Sequence, residues 1–239
     1  MQNYRPDASA TGRALRRLIA TAAVAACGFG SHAVLAGSYD DALSAANIGD
    51  AKELASLIQR GLDPDTVDAQ GNTLLILAAR EGHTAAVEAL VKNRARLDYR
   101  NPAGDSALML AVLRSHEDTA RALIRAGAAV AHDGWAPLHY AAFEGRDSLI
   151  EPILGAGADV NAAQGDGMTA LHWAAMKSQA DIATMLLYAG ANHGATTRLG
   201  GYTPLHRAAR AGSAPIVDAL VTAGANVTAT SSSGTTALM

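Results

Sequence analysis

Six glycines set the frame of this chain. Gly71, Gly104, Gly134, Gly167, Gly201 and Gly234 stand 33, 30, 33, 34 and 33 residues apart, a regularity that independent loops do not produce. Each opens a related phrase: Gly71-Asn72-Thr73-Leu74-Leu75, Gly134-Trp135-Ala136-Pro137-Leu138-His139, Gly167-Met168-Thr169-Ala170-Leu171-His172 and Gly201-Tyr202-Thr203-Pro204-Leu205-His206. A second apolar block follows each complete copy, such as Ala86-Val87-Glu88-Ala89-Leu90-Val91 or Ile216-Val217-Asp218-Ala219-Leu220-Val221. Then comes a Gly-Ala turn at Gly127-Ala128, Gly157-Ala158, Gly190-Ala191 and Gly224-Ala225. Only 4% of the 239 residues are aromatic, and alanine dominates the 49% that are hydrophobic. A core of that composition is built from many small, regularly stacked contacts, which a row of repeated helix pairs supplies.

The pattern resembles the ankyrin repeat. Thr203-Pro204-Leu205-His206-Arg207-Ala208-Ala209 and Gly157-Ala158-Asp159-Val160-Asn161 match its signature almost letter for letter, and the resemblance runs from about Asp40 to the C-terminus. It implies an all-α solenoid of stacked helix-turn-helix units with β-hairpin or turn fingers. The residues agree with it: Thr caps a short helix, Pro fits the first helical turn, and a glycine permits the left-handed turn between antiparallel helices. The expected layout is a leader at 1–36, an N-terminal capping helical pair at 37–67, five repeats over 68–230 and the start of an incomplete sixth at 231–239. About three residues are missing between Gly127 and Pro137, so the finger between the second and third repeats is expected to be stunted. Ser115 and Ser178 replace the inter-helix glycine, and Arg94 stands where the Gly of Gly-Ala belongs. Each costs up to about 1 kcal/mol if the left-handed geometry is kept.

The first 36 residues read as an address. Arg5, Arg13, Arg16 and Arg17 against Asp7 give this head a net +3, which leaves −6 for the rest of a chain whose formal charge is −3. The basic stretch runs into the uncharged Leu18 to Ala26, too short for an ordinary membrane-spanning helix, and Val34-Leu35-Ala36 suits a signal peptidase. Cleavage after Ala36 gives a soluble periplasmic protein. Val24-Ala25-Ala26-Cys27 competes as a lipobox, with Cys27 as the lipidated residue of an envelope lipoprotein. No membrane insertion is expected after processing unless Cys27 carries lipid. As the lone cysteine, it also excludes an internal disulfide framework.

No catalytic signature stands out. His139, His172 and His206 hold one position in successive repeats; helices packed side by side lie about 8–10 Å apart, while zinc ligands each sit about 2 Å from the metal. The resemblance implies that these histidines bridge backbone groups of neighbouring turns. His116-Glu117 begins like a metalloprotease helix, but Ala120 stands where the second ligand belongs. No enzyme activity and no cofactor are therefore expected, and an acidic body, which gains nothing from counterion release, argues against nucleic acid as a partner. What remains is recognition of a protein by a non-enzymatic scaffold. The resemblance implies a concave groove lined by the residue after each finger glycine and the pair after each Ala-Ala. Trp135, Phe143, Met168, Met176, Tyr202 and Arg210 are the expected partner-binding residues, because aromatic residues, Met and Arg concentrate in interface cores. Asn72 and Asp105 are expected to matter less, and Tyr140, Trp173 and Arg207 to pack between helices. An accessory role, assisting or restraining an envelope enzyme, is the alternative, followed by an enzyme of unrecognised type. Finally, a chain that stops as a sixth repeat begins is expected to be a fragment, or to pair with another chain, leaving Ile216, Val217, Leu220 and Val221 uncovered.

Overall fold

The computed structural model describes residues 32–132, 134–237 and 239. Ala42–Met239 forms one compact unit. The expected leader and Cys27 lie outside the described residues, apart from residues 32–36, which open helix α1 (His32–Ile48).

Eleven further helices follow in antiparallel pairs: α2 (Ala51–Gln59) after α1, then α3 (Leu74–Arg80) with α4 (Thr84–Lys92), and α5 (Ala107–Leu113) with α6 (Glu117–Arg125). Next come α7 (Pro137–Glu144) with α8 (Asp147–Gly155), α9 (Ala170–Met176) with α10 (Ala180–Tyr188), and α11 (Pro204–Ala211) with α12 (Ala214–Thr222). First helices α3, α5, α7, α9 and α11 pack in one row, and second helices α2, α4, α6, α8, α10 and α12 in another. Helices of seven to nine residues have little stability alone, so the structure rests on this two-layer stacking. Buried alanines set the spacing: Ala78-Ala79, Ala141-Ala142 and Ala174-Ala175 let neighbouring first helices approach closely.

Local chemistry starts each first helix. The Thr73 and Ser106 hydroxyls accept from the amides of Ile76 and Met109 at 3.2 and 3.3 Å, and Pro137 and Pro204 occupy the first turn, where no amide is required. The fingers are brief, with antiparallel bridges at Val67–Thr73, Ala163–Thr169 and Thr230–Thr236. Successive turns are clipped together by side chains one repeat apart. Asp65 accepts from the Arg96 amide at 2.8 Å, Asp98 from that of Ala129 at 2.7 Å, and Asn161 from that of Asn192 at 2.7 Å.

The non-glycine turns keep their left-handed backbone, with φ of 64° at Arg94, 67° at Ser115 and 58° at Ser178. At the equivalent turn Gly82, a Cβ atom would lie 2.4 Å from the His116 ring, so glycine there serves packing as well as backbone. Pro152 stands inside α8, where it cannot donate to the Ser148 carbonyl four residues earlier. Arg121, on α6, donates to that carbonyl through Nη2 and supplies the missing bond from the preceding repeat.

Burial of the last repeat differs from the sequence expectation. Ile216 and Leu220 are fully buried and only Val221, at 45%, is exposed, because residues four apart share a stripe of α12. The Ile216–Leu220 stripe faces α10 and α11; the Val217–Val221 stripe lies beside it.

Candidate functional site

The first-helix side carries two kinds of residue, those that tie repeats together and those left available. His139, His172 and His206 belong to the first. The His139 Nδ1 accepts from the Ala136 amide at 3.1 Å, that of His172 from Thr169 at 3.3 Å, and that of His206 from Thr203 at 3.2 Å. Each Nε2 donates across to the next finger, to the carbonyls of Ala162 (3.0 Å), Tyr202 (3.0 Å) and Thr235 (3.1 Å). An accepting Nδ1 and a donating Nε2 define the neutral tautomer. Burial holds His139 below the usual imidazole range and His172 down to about 4, with Arg207 adding to the second shift. With both nitrogens of each ring engaged, the row is structural. Among the described residues, no group of three His, Cys, Asp or Glu side chains is placed to hold a metal ion.

In the first two repeats the same position is apolar, Ile76 and Met109, and the ties lie elsewhere. His83 Nε2 meets the Asn47 carbonyl at 2.8 Å and His116 Nε2 meets that of Arg80 at 2.9 Å. The fingers are joined by Asn101 Nδ2 donating to Asn72 Oδ1 at 2.9 Å. Asn72, only 8% exposed, is thus part of a ladder rather than of an open groove, contrary to expectation.

The available residues gather between the third and fourth repeats. The Trp135 ring centroid lies 4.9 Å from that of Trp173, 4.8 Å from Tyr140 and 5.8 Å from Phe143, which meets Trp173 edge-on at 5.2 Å. All four rings are half-buried, and Lys177 Nζ sits 4.0 Å from the Phe143 centroid. Tyr140 also donates to Asp105 at 3.1 Å; burial, and then that carboxylate, push its hydroxyl up to about 12, so it remains a donor. A patch of stacked rings with an ammonium above one face offers apolar area at small entropic cost, plus a polar handle.

The six expected binding residues separate accordingly. Trp135 and Phe143 stand in the cluster. Tyr202, under Arg207 at 5.0 Å, and exposed Arg210 line a cavity of about 370 Å³ beside the last finger. Met176 is half-buried at the end of α9. Met168 is a correction: at 4% exposure it is closed to a partner. The finger at 197–202 covers this turn, with the Arg198 amide donating to the Asp166 carbonyl at 2.7 Å and its backbone directly against Gly167. Tyr140 and Trp173 pack against the core, as expected, and also belong to the half-buried ring cluster. The signal for them was register, because they occupy the same place 33 residues apart and flank Trp135. The shortened segment between Gly127 and Pro137 borders a cavity of about 480 Å³, lined in part by Arg100, Val130, His132 and Asp159.

The comparisons with known proteins agree with this architecture. The family model described as ankyrin repeats (3 copies) matches residues 42–133, 98–164 and 138–231, and the chain belongs to the ankyrin-repeat family. Such repeats generally mediate protein–protein interaction. Among solved structures, the human ASB11 ankyrin repeat domain is similar, with a TM-score of 0.74 and 26% identity over 82% of this chain and 89% of that one. Also similar is a chain of the complex between the predatory endopeptidase Bd0816 from Bdellovibrio bacteriovorus and the immunity protein Bd3460. There the TM-score is 0.68 and the identity 28%, covering 76% of this chain and 97% of that one. No curated protein matches the chain in sequence. No described helix is long and apolar enough to cross a membrane.

Proposed function

We propose that this chain is a non-enzymatic, exported scaffold of the bacterial cell envelope that binds a protein partner through the concave, first-helix face of its repeats. The observation that carries the reading is the half-exposed Trp135–Tyr140–Phe143–Trp173 cluster, an arrangement of the residue types that dominate interface hot spots. Export rests on the basic head and the Leu18 to Ala26 run, with a periplasmic location after cleavage or an envelope anchor through lipidated Cys27. Mass spectrometry of the mature protein separates these: an N-terminus near Gly37 supports secretion, diacylglycerol on Cys27 supports the anchor, and an intact Met1 in soluble cytoplasmic material rejects both.

A second, narrower reading is that the partner is an envelope enzyme which this chain restrains. It is favoured by the likeness to a chain from an endopeptidase–immunity protein complex. Affinity capture from the periplasm, repeated with Trp135→Ala and Phe143→Ala, tests both. One stoichiometric protein lost with these variants supports the scaffold, and a captured hydrolase slowed by the purified chain supports restraint. A partner retained in full by folded variants contradicts the assigned face.

A further inference from the structure

Charge is sorted across the two layers of the last three repeats. Their second helices carry Asp147, Glu151, Asp181 and Asp218 and no lysine or arginine. Their first helices and the turns that follow carry Arg146, Lys177, Arg207 and Arg210 against Glu144 alone.

Pairing concentrates the effect. Glu144 is held by Arg146 at 3.6 Å, as Glu81 is held by Arg80 at 2.8 Å in the first repeat. The finger aspartates are engaged locally, Asp105 by the Tyr140 hydroxyl and Asp166 by the Met168 amide at 3.0 Å. Arg114, Lys177 and Arg210 remain exposed and have no carboxylate partner among the described residues. They stand at the C-terminal ends of α5, α9 and α11, in the same helix layer as α7, which ends in Glu144 between them, and Lys177 lies against the Phe143 ring of the cluster. A cation at those ends is favoured by the helix dipole, and the three side chains are exposed to solvent.

We propose that this groove receives an acidic segment of a protein partner, whose carboxylates pair with Arg114, Lys177 and Arg210 while its apolar side chains lie against Trp135, Phe143 and Trp173. The proposal rests on the protein-binding reading of the same face. A basic segment is repelled by these three cations and drawn instead to the acidic outer layer. That layer in turn repels an acidic partner, so the sorted charge orients the encounter toward the groove. A nucleic acid meets the same cations with far more charge of its own against a body of net −6, which disfavours it.

The test uses a display library of random 16-residue peptides, selected on the immobilised protein and counter-selected on Trp135→Ala/Phe143→Ala, or on Phe143→Ala alone if the double variant is not folded. Groove-dependent peptides are expected to be enriched at least about twofold in Asp and Glu over the unselected library. Against the exposed triple variant Arg114→Glu/Lys177→Glu/Arg210→Glu, with its fold checked by circular dichroism, the tightest peptide should lose about tenfold or more in Kd. Against the matching Gln variant, the loss should be smaller and the salt dependence of Kd should nearly vanish. Groove-dependent peptides without acidic enrichment, or unchanged Kd with the Glu variant, overturn the acidic preference and leave protein binding intact. No peptide that distinguishes wild type from the cluster variants overturns both. A 16-nucleotide thymidine oligomer that binds more tightly than the best peptide, through the same three cations, replaces the protein ligand with nucleic acid.

Discussion

The first two repeats and the last three share one backbone plan but solve the junction between neighbours differently. In the first pair, the first-helix position holds Ile76 or Met109, and the polar ties are His83, His116 and the Asn72–Asn101 pair. In the last three, that position is a buried histidine bonded on both sides, and the surface beside it bears aromatic rings and unpaired cations. The N-terminal half thus commits its polar groups to cohesion at partly exposed turns. The C-terminal half buries that cohesion and keeps aromatic rings and cations on its surface, where the proposed partner would meet them. Stability and binding should therefore respond to perturbation in different halves of the molecule.

Acid is the strongest way to expose the difference. His172 has a folded-state pKa of about 4 against an unfolded value near 6.5, so between these limits the unfolded chain binds more protons and stability falls as pH falls. Above pH 6.5 the contribution is fully present; by pH 4 about 3 kcal/mol of it is lost, and His139 adds in the same direction. Hydrogen exchange followed from pH 7 to pH 4 should show α9 and α11 losing protection before α3 and α5. Uniform loss along the solenoid would erase the contrast.

The next perturbation sits on the boundary between the halves. Arg121→Ala removes the donor to the Ser148 carbonyl that Pro152 leaves unbonded, and should destabilise by about 2 kcal/mol. In a Pro152→Ala background the restored amide competes for that carbonyl, and the cost should fall to about 1 kcal/mol or less. Equal costs in both backgrounds, measured by urea denaturation, would mean that the bond does not compensate for the proline.

A smaller effect is expected at the strained turns. Arg94→Gly and Ser115→Gly should each raise stability by up to about 1 kcal/mol, because glycine, with no Cβ, adopts a φ near 65° without strain. A drop in melting temperature would show that the side chains stabilise these turns in another way.

Much of this was legible because periodicity reports backbone plan. The 33-residue spacing marked the helix pairs, the shortened segment before Pro137 and the left-handed positions Arg94, Ser115 and Ser178, each a local consequence of sequence. The bridging of neighbouring turns by His139, His172 and His206 was implied by the resemblance to the ankyrin repeat, and their bonds to the Ala162, Tyr202 and Thr235 carbonyls agree with it. What was not legible depends on neighbours. Met168 reads like Trp135 or Tyr202 in register, yet it is buried because the following finger lies across its turn. Ile216 and Leu220 read as uncovered until the helix stripes were resolved. Trp173 and Tyr140 do pack against the core as expected, but nothing in a single repeat says that Trp135 also stands against both rings.

The central claim is that partners meet the first-helix face of the C-terminal repeats. Site-specific photocrosslinking in intact cells tests it most directly, with the photoreactive residue placed at position 177 beside the aromatic cluster and, in a second strain, at position 188. Tyr188 is 89% exposed at the end of α10 in the outer layer. The account expects one discrete crosslinked protein from position 177, lost when Phe143→Ala is added, and none from position 188. The same discrete product from position 188, with position 177 silent, would place the binding surface on the second helices and contradict it.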